Sequence, residues 1–206
     1  MIIGTAPAGE YDRRVVLLTR ERGKISAFAK GARRLNSPLM AATDVFAFGS
    51  FRLYVGRESY TLVEASVQNY FAYFRTHVEA SLLGQYFCEV LEYCTRENND
   101  EAQLLLLLYQ TLRALESERF SEKLVRCVFE LKTVAVEGEL MEPDPQKLSA
   151  AAMAAFCHIR QQPVARLYTF AVEESVLEEL SQLAKESMDY AFARHRFKSL
   201  EILEML

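Results

Sequence analysis

The stretch DVFAFGSFRLYVG, residues 44–56, decides how the amino-terminal part of this 206-residue chain folds. Phe46 and Phe48 share one parity, whereas Phe51, Leu53 and Val55 share the other. Side chains along a strand alternate with a period of two, so the phase changes only where an extra residue is inserted; Gly49 and Ser50 mark that place as a bulge or sharp bend. Long strands that bend at glycine belong to small closed barrels.

The flanking segments complete such a barrel. RRVVLLT (13–19) is an apolar run, RERGK (20–24) is a turn in which Gly23 supplies a positive φ, and KISAFAK (24–30) alternates again, so the three read as a hairpin. With MIIGT before it and SYTLVEASV (59–67) after the bent strand, about five strands occupy some seventy residues, the size of an OB-type barrel. Gly31 to Thr43 is a long loop with a turn of helix, and Pro38 keeps Ser37 out of the α region.

From Tyr70 the period becomes helical. Phe74, Val78, Leu82, Phe87 and Leu91 recur at steps of three to five, NND (98–100) interrupts, and residues 101–117 form a second helix. Ser121 caps a third over 122–138, which Gly138 stops. After the punctuating MEPDPQ (141–146), segments 147–161, 175–194 and 197–206 read as three more. The fold class is α+β in two domains, an OB barrel over 1–78 and a helical domain over 79–206.

Half of the residues are hydrophobic and a quarter charged, as in ordinary globular proteins. The run Leu104 to Tyr109 is far short of the ~20 apolar residues of a membrane span, and the amino terminus lacks a signal-peptide pattern, so a cytoplasmic protein is expected. Cys88, Cys94, Cys127 and Cys157 form no CxxC pair and read as small buried hydrophobes. No HExxH, GxGxxG, GxxxxGK[ST] or GxSxG pattern occurs, and Glu173, Glu174, Glu178 and Glu179 read as a solvated helix face, so no enzyme and no cofactor is expected.

Charge divides the chain. Residues 1–77 carry 11 Lys+Arg against 6 Asp+Glu, and the remainder 13 against 22. Two readings fit: a module that meets a polyanion, or strands that merely carry arginine. OB barrels that hold single strands combine a basic groove with aromatic platforms. Arg13, Arg14, Arg20, Arg22, Lys24, Lys30, Arg33 and Arg34 are the candidate phosphate contacts, with Lys30, Arg33 and Arg34 foremost, and Phe28, Tyr54 and Tyr60 the candidate base stackers. Phe28, Phe46, Phe48 and Phe51 serve as barrel core at least as readily. RHRFK (194–198) is a further basic cluster, or a helix-terminal solubility patch.

Three segments carry a family resemblance. GEYDRRVVLLTRERGKISAFAKGARRLNSPL (9–39) closely resembles the amino-terminal signature of the RecO family of bacterial recombination mediators; VFELKTVAVEGELMEP (128–143) and HRFKSLEILEML (195–206) are similar to its FELKLLxxxGxxP and terminal KSLxFLxxL motifs. The resemblance implies an OB domain followed by a helical one. It further implies binding of ssDNA and dsDNA, annealing of complementary strands, and work with RecR and the single-strand binding protein SSB, through its C-terminal tail, to load RecA at the nucleoid. Many members carry a four-cysteine zinc site after the GxxP turn. Here about 140–170 offers only Cys157 and His158, so no metal is expected, and packing of Leu148, Met153, Phe156 and Ile159 should hold the segment. The rival from another class is an adaptor whose barrel binds an acidic peptide. A nuclease is disfavoured because no metal-binding carboxylate pattern occurs.

Overall fold

The computed structural model describes residues 1–206, which divide into two compact units, Met1–Leu105 and Leu106–Leu206. The first unit holds strands β1 (Ile2–Ala8), β2 (Asp12–Thr19), β3 (Gly23–Ala29), β4 (Phe48–Val55) and β5 (Tyr60–Asn69) in one sheet, ordered β1-β2-β3-β5-β4. All pairings are antiparallel except β3 with β5, which run parallel at Ala27–Tyr60 and Phe28–Thr61. Ile2 N donates to Ala47 O and Phe46 N to Ile2 O, each at 2.9 Å, so the start of β1 meets the approach to β4 and the sheet curls on itself. With the short helix α1 (Leu39–Ala42) between β3 and β4, this is the OB topology.

Glycine sets the curvature where the phase changes. The register of β4 on β5 shifts between Phe48 and Gly49, and a Cβ on Gly49 would lie 2.1 Å from the Ser66 carbonyl oxygen, so no other residue fits the bulge. A second shift lies between Arg52 and Leu53. Phe46 lies ahead of the strand, at φ 75°, and packs against Phe74 with ring centroids 5.0 Å apart and the rings tilted by 50°. The interior combines Val15, Leu17, Ile2 and Leu62 with the small Ala27, Ala29, Ala32 and Ala47, which lets the barrel close; Phe51 and Leu53 pack against this core.

Helix α2 (Val78–Cys94) packs on β1 and buries Leu83, Tyr86, Phe87, Cys88, Val90 and Leu91. The chain after it clasps the β2–β3 turn: Lys24 N donates to Arg96 O at 3.0 Å and Asn98 N to Arg22 O at 2.9 Å. Gly23 stands in that clasp at φ +63°, where a Cβ would lie 2.2 Å from Arg96 O.

The boundary between the units falls inside α3 (Ala102–Glu116). The second unit continues with α4 (Glu122–Val136), α5 (Ala150–Gln161), α6 (Glu174–Ala191) and α7 (Lys198–Leu203), with α4, α5 and α6 packed on one another. Ser121 caps α4 by accepting from Leu124 N, Ser149 caps α5 by accepting from Ala152 N, and Gly138, at φ +79°, follows the end of α4. In the segment that follows the GELMEP turn, Phe156 and Ile159 of α5 are buried, while Leu148 and Met153 are half-buried. A polar tie adds to them: Lys132, buried on α4, donates from Nζ to the carbonyls of Ile159, Arg160 and Gln162 at 2.8–3.1 Å and so caps the end of α5. Cys88 and Cys127 are buried, which pushes both thiols up, whereas Cys94 and Cys157 are half-buried, a departure from the expectation of four core cysteines. No helix is long and apolar enough to cross a membrane.

Candidate nucleic-acid interface

Strand alternation sorts the candidate residues by face. On β2, Val15 and Leu17 point inward and Arg14 outward; on β3, Ile25, Ala27 and Ala29 point inward and Ser26 and Phe28 outward. Register then aligns one outer row across all five strands: Ala6 opposite Arg14, Arg14 opposite Phe28, Phe28 opposite Thr61, and Thr61 opposite Tyr54. Phe28 is 40% exposed and Tyr54 66%, so two aromatic surfaces stand roughly 10 Å apart on the solvent side, at the usual strand spacing. Tyr60 has the opposite parity. It packs against the barrel core, and its hydroxyl donates to Glu97 Oε1 at 2.6 Å, a bond that raises its pKa.

All the basic candidates except Arg13 fall into two groups at opposite ends of the β2–β3 hairpin, roughly 23 Å apart at about 3.3 Å per residue. At one end, the KGARR turn docks on the β1–β2 hairpin: Gly31 N donates to Asp12 Oδ1 at 2.7 Å, Arg33 N to Tyr11 O at 2.8 Å, and Arg33 Nη1 to Gly9 O at 3.1 Å. The Arg34 guanidinium lies 5.1 Å from the centroid of the Tyr11 ring. Arg14 Nε donates to Ser26 Oγ at 2.8 Å, and the Arg14 side chain is exposed on the outer row. Lys30, Arg33 and Arg34 are exposed, so Arg14, Lys30, Arg33 and Arg34 form one cluster beside Phe28.

At the other end acids interleave with the bases. Arg20 lies 3.5 Å from Glu21, Lys24 Nζ donates to the Glu92 carbonyl, and Arg22 bears on the Tyr60–Glu97 pair. Arg13 belongs to neither group. It is an inward-leaning, half-buried residue whose Nη1 serves Asp44 Oδ1 at 2.8 Å, Thr43 Oγ1 at 2.9 Å and Met40 O at 3.0 Å, tying β2 to the α1 segment. RHRFK lies in the second unit, with Phe197 buried, its basic side chains exposed and Arg196 3.6 Å from Glu201. Of the acids read as a solvated face, Glu174 pairs with Lys123 at 2.7 Å and Glu179 accepts from Ser149 N at 2.6 Å.

Sequence reasoning passed over Tyr11, 45% exposed, because it sits in a turn outside the strand alternation. It also passed over Arg57, exposed in the β4–β5 loop. These two loops flank the outer face of β2 and β3, the face and loops with which OB barrels hold oligonucleotides.

The arrangement is that of an OB-barrel protein with a basic and aromatic outer face, followed by a helical unit. Residues 1–71 match the family model Recombination protein O N terminal, and residues 75–140 match Recombination protein O C terminal. The chain belongs to the RecO family, a family of DNA repair and recombination proteins. It is similar to the DNA repair protein RecO of Acetivibrio thermocellus, 27% identical over 222 residues covering 91% of this chain and 88% of that protein. It is 34% identical to the DNA repair protein RecO of Alkaliphilus metalliredigens over 63% of this chain, and 37% identical to that of Symbiobacterium thermophilum over the same share. In these last two matches the chain spans about half of the relative's length, 53% and 51%.

Proposed function

We propose that the chain is a non-enzymatic recombination mediator that binds ssDNA and dsDNA through the outer face of its barrel, anneals complementary strands, and with RecR helps to load RecA onto SSB-coated single strands in gap and double-strand-break repair. The observation that carries this reading is the convergence of Arg14, Lys30, Arg33 and Arg34 on one end of the face that presents Phe28 and Tyr54. Guanidinium and ammonium groups neutralise phosphates, and ring faces stack bases without reading their identity. Two strands held with their charge neutralised and their bases open repel one another less, so annealing needs no covalent step. In this reading the barrel of residues 1–78 carries the nucleic acid. The helical residues 79–206 dock RecR and the SSB tail, meet the RecA filament only indirectly, and need no metal in 140–170. The protein works in the cytoplasm, at the nucleoid, away from any membrane.

The test is binding of bare oligonucleotide without partner proteins, followed against salt. The expected result is a shifted band and a linear fall of log K with log salt, about −0.7 per phosphate contacted on a single strand. Failure to bind bare DNA, together with capture of an acidic peptide, would establish the adaptor instead.

A further inference from the structure

Among the exposed large hydrophobic residues the most exposed is Leu35, at 86%. A lone apolar side chain on a surface is ordinary, so the setting decides what it means. Leu35 directly follows Arg33 and Arg34 at the tip of a turn held on both sides. Before it, Arg33 N is bonded to Tyr11 O at 2.8 Å and Arg34 N to Gly31 O at 3.0 Å; after it, Ser37 N is bonded to Arg34 O at 3.1 Å. Gly31 at φ +66° and Asn36 at φ 64° take the left-handed conformations that bend the chain before and after the tip. The side chain is therefore presented at a fixed place in water, beside cations that suit phosphate and at the edge of the face bearing Phe28. An apolar wedge flanked by arginines matches stacked bases inside a phosphate backbone, since such side chains enter between base steps and hold them apart.

We infer that Leu35 is a wedge that inserts between neighbouring bases of the DNA held by Arg33 and Arg34, keeping those bases unstacked. This rests on the reading of the barrel face as the DNA site and adds to it a residue that neither binds phosphate nor stacks as a platform. An unstacked step exposes base edges to a complementary strand, which gives the wedge a part in annealing.

The test uses the full chain and oligonucleotides, single-stranded and duplex, that carry 2-aminopurine, whose fluorescence is quenched by stacking. A separate end-label reports binding by anisotropy. The wild-type protein should raise the 2-aminopurine signal as it binds. Leu35→Ala should reach the same final anisotropy with that rise lost, and Leu35→Phe should restore it. Because the side chain is exposed, both variants should keep the wild-type melting curve. A full rise with Leu35→Ala, or wild-type binding with no rise, overturns the wedge while leaving the DNA site standing. No change in anisotropy with wild-type protein overturns the DNA site, and the wedge with it.

Discussion

Two arginines of the same strand show how far the environment of a single side chain governs its use. Arg13 and Arg14 are adjacent, yet Arg13 turns toward α1 and spends Nη1 on Asp44, Thr43 and Met40, whereas Arg14 points to solvent on the row with Phe28. Charge counts weigh them equally and geometry does not. Replacing Arg13 with alanine strips donors from three acceptors, at about 1–3 kcal/mol, and should lower the urea midpoint while leaving the salt slope of DNA binding unchanged. Arg33→Ala with Arg34→Ala should do the opposite. The slope should become shallower by about one to one and a half units, with little change in the midpoint, because both residues are exposed and a single-strand phosphate contact is worth about 0.7. Salt titrations with all three proteins check both halves, and an unchanged slope in the double variant removes those residues from the site.

At the scale of elements, the helical half has a tie that periodicity does not announce. Lys132 sits on the buried face of α4, between Leu131 and Thr133, and reaches the last carbonyls of α5, which have no partner within their own helix. Burial lowers its pKa, and three carbonyl contacts compensate the ammonium for lost water. Lys132→Met fills the space without the donors, so the expected loss is about 2–3 kcal/mol in urea unfolding, with α5 the first helix to lose amide-exchange protection. The barrel elements were legible because each leaves a local mark: alternation in KISAFAK, the broken phase at Gly49, the turn at Gly23. The helices were legible from Ser121, Gly138 and the recurrence of Leu82, Phe87 and Leu91, whereas Phe74 lies in a short 3-10 helix ahead of α2 and Val78, the first residue of α2, is exposed. What stayed hidden depends on partners distant in sequence. Lys132 meets residues 27–30 positions away, Tyr60 meets Glu97, and the outward aim of Phe28 follows from its pairing with Arg14 and Thr61. Parity places a side chain on a face, but only register and the closure of the sheet say which face is wet.

Across the whole molecule, the charge division falls differently from the strand–helix division. Residues 1–77 hold a surplus of positive charge, but the compact unit 1–105 carries 12 Lys+Arg and 12 Asp+Glu, because α2 and the loop after it bring Glu79, Glu89, Glu92, Glu97, Asp100 and Glu101 into the same unit. Residues 106–206 carry 12 against 16. Glu97 bears on Arg22 through the Tyr60 hydroxyl and Glu21 lies 3.5 Å from Arg20, so the Arg20–Lys24 end of the hairpin is offset and the positive potential left over is a local patch at the KGARR end rather than a field of the whole unit. Capture of DNA then depends on close contacts and little on long-range steering, whose reach at physiological salt is about 8 Å. A chain ending at Leu105 should therefore keep both the fold and the function of the barrel, since it retains α2, which packs on β1 within that unit. A chain ending at residue 78 lacks that cover on β1 and should melt earlier or aggregate. Circular dichroism melts and oligonucleotide anisotropy on the two fragments check this, with the 1–105 fragment expected to reproduce the salt slope of the full chain. A folded 1–105 fragment with a markedly shallower slope would move part of the phosphate contact to the helical unit, where the exposed Arg194, Arg196 and Lys198 are the basic residues to replace next.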